Sequence, residues 1–205
     1  MSARDAILAR IRTNRPAGQH DLPTVPDFTK PWPQGTSAKF VEMLEMMGGT
    51  ILEQDSSGDL LKPVRDRLAQ SPCVCSAVPE IEGEVELDLV GAPRDLADVD
   101  VAVVRAAFAV AETGSILVTE NELRVNSLAY LAQHLVVLLD PADIVDSTQH
   151  AYMKPEFHSA HYACFHSGPS ATADIEGVLI RGAQGVRSLT VALVPRGYRF
   201  EASAA

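Results

Sequence analysis

Cysteine is scarce in this chain of 205 residues, with only Cys73, Cys75 and Cys164. A small, odd number does not make a disulfide framework, and it fits a reducing compartment. It also speaks against a resident iron–sulfur cluster, which takes about four thiolates at recognisable spacings. Positive charge is short as well: 17 Lys and Arg face 27 Asp and Glu, for a formal charge of −10. With no basic run, nucleic acid and anionic membrane surfaces are poor partners. No apolar run reaches the length of a membrane span, and the opening Met1-Ser-Ala-Arg-Asp5 has no signal-peptide core, so a cytoplasmic protein is expected. Also missing are a Gly-x-Gly-x-x-Gly dinucleotide fingerprint, an internal repeat and a low-complexity tract.

What is present reads as an arm and a domain. Ile7, Leu8 and Ile11 put one apolar stripe on a helix over residues 3–12. Pro16, Gly18, Pro23, Pro26, Pro31, Pro33 and Gly35 then predict an extended linker, with Phe28 and Trp32 as anchors. Residues 1–35 are therefore an appendage, and 36–205 the compact domain. Phe40, Val41, Leu44 and Met47 keep helical spacing up to Gly48-Gly49. Strands are predicted at 50–53, 72–76, 100–104, 108–111, 116–119, 134–140, 162–165 and 189–194, with a weak one around Val85, Leu87 and Leu89. Helices are expected over 59–70 and from Pro141 to about Tyr152. The unbroken apolar run His134–Asp140 suits a strand buried on both faces. Strands alternating with helices indicate an α/β fold: a mixed, mostly parallel sheet with helices on both faces.

The stretch from His166 to Arg187 carries the densest signals. Gly168-Pro169 is a turn, Ser170 and Thr172 are N-cap candidates, and Ile175, Val178 and Leu179 recur at helical spacing. Gly182 and Gly185 end the predicted short helix or, with Thr113 and Gly114 of the earlier motif, approach a ligand closely. Asp174 and Glu176 would sit in its first turn, where the macrodipole favours carboxylates. Capping is one reading of them. The other points one of them into a cleft at the carboxyl ends of the strands, as general base or hydroxyl acceptor, with Ser167, Gly168, Ser170 and Thr172 adding contacts. Glu112, followed by Thr113 and Gly114, reads as a solvated hairpin turn or as a partly desolvated strand-end acid. On the second reading the two acidic motifs face one acidic cleft, with Glu112 near Asp174. His150, His158, His161, Cys164 and His166 crowd seventeen residues, yet no single element presents three of them together, so no metal site is expected.

Ser167-Gly-Pro-Ser-Ala-Thr-Ala-Asp-Ile-Glu176, with the later Gly182-x-x-Gly185 and a hydrophobic strand, resembles the C-terminal signature of the LUD-domain proteins of the lactate-utilisation protein C (LutC/YkgG) type. Ala111-Glu-Thr-Gly-Ser115 is similar to that family's second motif. The position between Ser170 and Thr172, often Arg in such proteins, is Ala171 here. The resemblance covers roughly residues 36–205 and implies a NagB/RpiA/CoA-transferase-like fold. It implies a subunit of bacterial L-lactate oxidation to pyruvate that works with iron–sulfur partner proteins and binds no redox cofactor of its own. The same fold also admits a stand-alone sugar-phosphate or acyl-CoA enzyme, in which a strand-end Glu such as Glu112 would be the nucleophile. A non-catalytic interaction module is the third possibility.

Overall fold

The computed structural model describes residues 2–16, 18, 21, 23–174 and 176–199. The elements run α1 (Ala3–Thr13), α2 (Thr36–Met46), β1 (Thr50–Ile51), α3 (Lys62–Leu68), β2 (Val74–Ser76), β3 (Val101–Arg105), β4 (Phe108–Val110) and β5 (Ser115–Thr119). There follow α4 (Glu120–Leu123), α5 (Leu128–Leu131), β6 (His134–Leu139), β7 (Ile144–Val145), α6 (Thr148–Ala151), α7 (Pro155–Ser159), β8 (Ala163–His166), β9 (Ala171–Thr172), β10 (Ile180–Arg181) and β11 (Ser188–Leu193).

Five strands form a central sheet in the order β1-β11-β6-β3-β2, every pair parallel. The period of two sorts its side chains into two cores. Ala102, Val104, Leu135, Val137, Leu139, Leu189 and Val191 face Phe40 and Leu44 of α2, Leu128 of α5, and the inner side of β4 and β5. Val101, Val103, Val136, Leu138 and Ala192 face the other way, onto Leu61 and Val64 at α3. The fold is therefore α/β with a parallel central sheet flanked by helices, as its sequence pattern predicts. One face carries something more. Strands β7-β4-β5-β8 make a second sheet, antiparallel apart from the β4–β7 pair, and it packs through Ala109, Ile116 and Val118 onto the first. Its outer side, with Phe108, Val110 and Leu117, is closed by Ala151 of α6 and Phe157 of α7.

Helix α1 is set by a capping box, Ser2 with Asp5, but it buries no residue, and Ile7 and Ile11 are 59% and 60% exposed. The proline-rich segment after it is docked. Thr29 Oγ1 donates to Ser147 Oγ (2.8 Å), Trp32 Nε1 to the Asp146 carbonyl (3.3 Å), and Gln149 Nε2 to the Pro26 carbonyl (3.0 Å). His150 meets Asp27 at 3.1 Å, and the Trp32 ring packs against the main core under the Lys39 ammonium.

Three expected elements differ. The run 141–152 holds a 3-10 turn, the short β7 and the one-turn α6 rather than one helix. Leu87–Leu89 is a 3-10 turn, not a strand. No helix forms over the described residues of 170–181. Instead β9 and β10 pair antiparallel, Ile180 opposite Thr172 and Arg181 opposite Ala171. Glu176 and Gly177, at φ 53° and 71°, supply the left-handed backbone that turns the chain back.

Candidate functional site

The two motifs meet. β5 and β8 pair antiparallel with Ile116 opposite His166, which brings Ser115 and Ser167 side by side, Oγ to Oγ 2.5 Å. Ser115 Oγ also donates to Thr113 Oγ1 (2.7 Å). A hydroxyl has one proton, so Ser167 is the donor to Ser115 and the three hydroxyls form a directed chain. The adjoining glycines are required by close packing. A Cβ on Gly114 (φ +63°) would lie 2.3 Å from Leu44 N and 2.4 Å from Met43 C, and one on Gly168 (φ +129°) 2.5 Å from the Met47 carbonyl oxygen. Both motifs thus press their glycines against the last turn of α2, and Met46 and Met47 are held above the second motif.

Beside this junction opens a cleft of about 540 Å³. Its walls are Met46 and Met47 at the end of α2, Ala129 and Tyr130 of α5, Cys164 to Ala171, Leu179 and Arg181 of the ribbon, and Gln184 to Val186. Three of these segments lead directly into β1, β6 and β11. The parallel registers place all of them at the amino edge of the central sheet, not at the carboxyl edge where the sequence led us to expect a cleft. The second motif shapes the far wall from its own backbone. Ser170 donates its N–H to the Val186 carbonyl (2.9 Å) and its carbonyl accepts from Gly182 N–H. Gly185 lies against the Ser170 side chain, where a Cβ would come within 3.1 Å of it.

The candidate residues divide accordingly. Ser167, Gly168, Ser170 and Gly185 line this cleft; Thr113 and Gly114 lie behind it. Thr172 and Gly182 frame the ribbon. Asp174 and Glu176 are on its exposed turn, outside this cleft. Glu112 opens elsewhere, into a cleft of about 760 Å³ between the proline-rich arm and α6. Its Oε2 accepts the N–H of Thr148 (2.8 Å), in the first turn of α6. The two acids are not brought into one of these clefts: Glu112 lines the one beside the arm, Asp174 lines neither, and the described walls of the cleft at the motif junction hold no carboxylate. Sequence reasoning missed Arg181, Tyr130, Met46 and Met47. Arg181, next to Gly182, was within reach of it; the others are brought in only by tertiary packing.

Electrostatics favour the opposite sign of ligand. Arg181 lies over Gly48, its guanidinium 2.8 Å from where a Cβ would stand, at the negative pole of α2. It forms no ion pair among the described residues. Burial holds the His166 imidazole below its ordinary pKa, and its buried Nε2 has no hydrogen-bond partner among the described residues. The Tyr130 ring lies 5.5 Å from that imidazole, centroid to centroid, and its hydroxyl touches that of Tyr162. Burial first, then hydrogen bonding to Cys164 and Tyr162, pushes the Tyr130 phenol up, so it stays a protonated donor. Burial also pushes the Cys75 thiol up to about 11, which makes it a core residue rather than a thiolate ligand at neutral pH. No group of three or more potential metal ligands occurs among the described residues, and none of their helices is long and apolar enough to cross a membrane.

A parallel five-stranded sheet, a second sheet laid on it and a motif-built cleft at its amino edge define the class. A structure described as a DUF162 family protein from Deinococcus radiodurans shares the fold with a TM-score of 0.57 at 15% identity, over 77% of this chain and 95% of that one. No curated protein matches the chain. The LUD domain matches residues 90–194, just over half of the sequence and inclusive of both motifs, and the chain belongs to the LUD-domain family.

Proposed function

We propose that this LUD-domain protein is a LutC-type subunit of a bacterial L-lactate utilisation system, acting beside iron–sulfur partner proteins that carry the electrons. The observation that carries the reading is the junction itself. The motifs at 111–115 and 167–176 both lie inside the matched domain, and they meet through Ser115 and Ser167 on the last turn of α2. The cysteine supply supports a division of labour: three residues fall short of the roughly four thiolates of a cluster, and Cys75 is in the core. On this reading the chain binds and positions a ligand, and oxidation of lactate to pyruvate sends its two electrons through the partners.

The rival is a stand-alone enzyme that uses Glu112 as nucleophile. Glu112 is exposed and its Oε2 is committed to Thr148 N–H, an arrangement that serves helix capping. One experiment separates the two. A deletion strain is grown on L-lactate as sole carbon source and complemented with the wild-type chain, with Glu112→Gln and with Asp174→Asn. The subunit reading expects no growth without the chain and near-normal growth with either variant. Unimpaired growth of the deletion strain refutes a role in lactate use. Failure of Glu112→Gln alone, with protein levels kept, returns catalysis to Glu112.

A further inference from the structure

The cleft at the motif junction differs from the rest of the molecule in charge and in polarity. The chain carries −10 overall, yet among the described residues no Asp or Glu lines this cleft, and Arg181 is the permanent charge they give it. That guanidinium has no anionic partner among the described residues. His166 adds no second positive charge, since burial favours its neutral form. The negative pole of α2 faces the same space, which disfavours a doubly charged group such as phosphate. The remaining walls are apolar and left open. Met46, Met47 and Leu179 are 64%, 48% and 60% exposed, an arrangement that costs free energy unless something covers them. With about 540 Å³ available, the cleft falls in the size range of small-molecule sites and exceeds what a two- or three-carbon acid fills.

From this juxtaposition of an arginine with an uncovered apolar rim, in a cleft whose described walls hold no carboxylate and no anionic partner for it, we infer that the protein binds an amphipathic organic monoanion. Its carboxylate meets Arg181, and its apolar body lies along Met46, Met47 and Leu179. Ser170 and Tyr130, both on the walls, are neutral donors open to such a head group. Specificity then comes from two independent features: a single charge at one end and chain length at the other.

The test is calorimetric titration of the full-length protein with acetate, butyrate, hexanoate and octanoate, all below micellar concentrations. Octylammonium and inorganic phosphate serve as controls. Affinity should rise about fourfold per methylene that reaches the rim, as expected for burial of apolar surface. Octylammonium should not bind, and phosphate should not displace octanoate. Arg181→Gln, a surface change that leaves the core alone, should weaken octanoate about tenfold or more, whereas Arg94→Gln should not. Leu179→Ser should flatten the chain-length dependence while the head group still needs Arg181. Equal affinity for acetate and octanoate, binding indifferent to Arg181→Gln, tighter binding of phosphate, or no saturable binding at all would each overturn the assignment. Binding is read on the purified protein and growth in the deletion strain, so the two readings fail separately: unimpaired growth of that strain on lactate refutes the subunit role and not the anion site.

Discussion

Replacing Gly114 by alanine tests whether the motif junction is built on backbone contact. Two costs add there. Gly114 sits at φ +63°, where an L-residue is disfavoured by about 1 kcal/mol. Its new Cβ would also come within 2.3 Å of Leu44 N and 2.4 Å of Met43 C, atoms of a helix backbone that cannot rotate aside. Forcing that overlap to relax costs roughly 1–3 kcal/mol more, the usual range for an overpacked core. The sum is about 2–4 kcal/mol, or a fall of roughly 4–16 °C in Tm for a chain of this size. Gly177 provides the internal comparison, because it shares the left-handed backbone (φ +71°) but has nothing within 4 Å of a Cβ. Gly177→Ala should therefore cost only about 1 kcal/mol. Urea denaturation of both variants, with unchanged slopes, measures the difference directly. Equal losses in the two would show that the close approach of the Ala111–Ser115 motif to α2 is not what makes Gly114 a glycine.

Two further outcomes follow from burial. Because burial lowers the folded-state pKa of His166 and of His134, the unfolded chain binds more protons than the folded one just below the ordinary histidine pKa. Stability should thus be level above about pH 6.5 and fall as pH drops below it, and His166→Phe should shrink that slope; an NMR titration placing His166 above 6.5 would reverse the sign. At the other end of the molecule, removing residues 2–15 should change stability by no more than about 0.5 kcal/mol, since α1 buries nothing. Removing residues 2–35 should cost roughly 2 kcal/mol through Trp32, which is half-buried; equal midpoints for the two truncations in thermal melts would mean that the arm is not held by that ring.

Most of the strand framework was legible because it rests on short-range patterns. His134–Leu139 and Val101–Arg105 are apolar at consecutive positions, as burial on both faces demands, and both became inner strands of the parallel sheet. The hairpin at Glu112–Gly114 was legible for the same reason. The ribbon was not. Val178 and Leu179 keep helical spacing after Ile175, but spacing stabilises a helix only where a core accepts the stripe, and here both are about 60% exposed. A better signal was present in Glu176-Gly177, a left-handed pair between two short β-branched runs, which favours a hairpin over a helix. The docked arm was legible as proline-rich and extended, but its hydrogen bonds to Asp146, Ser147 and Gln149 span more than a hundred residues.

The misplacement of the cleft has a physical cause in the topology. In an open α/β sheet the loops that leave the carboxyl edge are free to build a site, and that general expectation directed the sequence reading there. In this chain the carboxyl edge carries fixed ion pairs beside a separate cleft of about 510 Å³ that neither motif lines. Arg105 pairs with Glu80 at 2.7 Å and donates to the Val194 carbonyl, while Arg196 pairs with Asp143 and reaches the carbonyls of Ala106 and Ala107. The second sheet then carries β8 back beside α2, so the chain beyond His166 emerges at the amino edge, under the last turn of that helix. Two motifs more than fifty residues apart are brought together there by strand pairing between β5 and β8, which neither motif specifies alone. Carboxylates that look convergent in sequence are left on separate surfaces, and an arginine that the sequence marks only as the neighbour of Gly182 becomes the charge that the cleft presents.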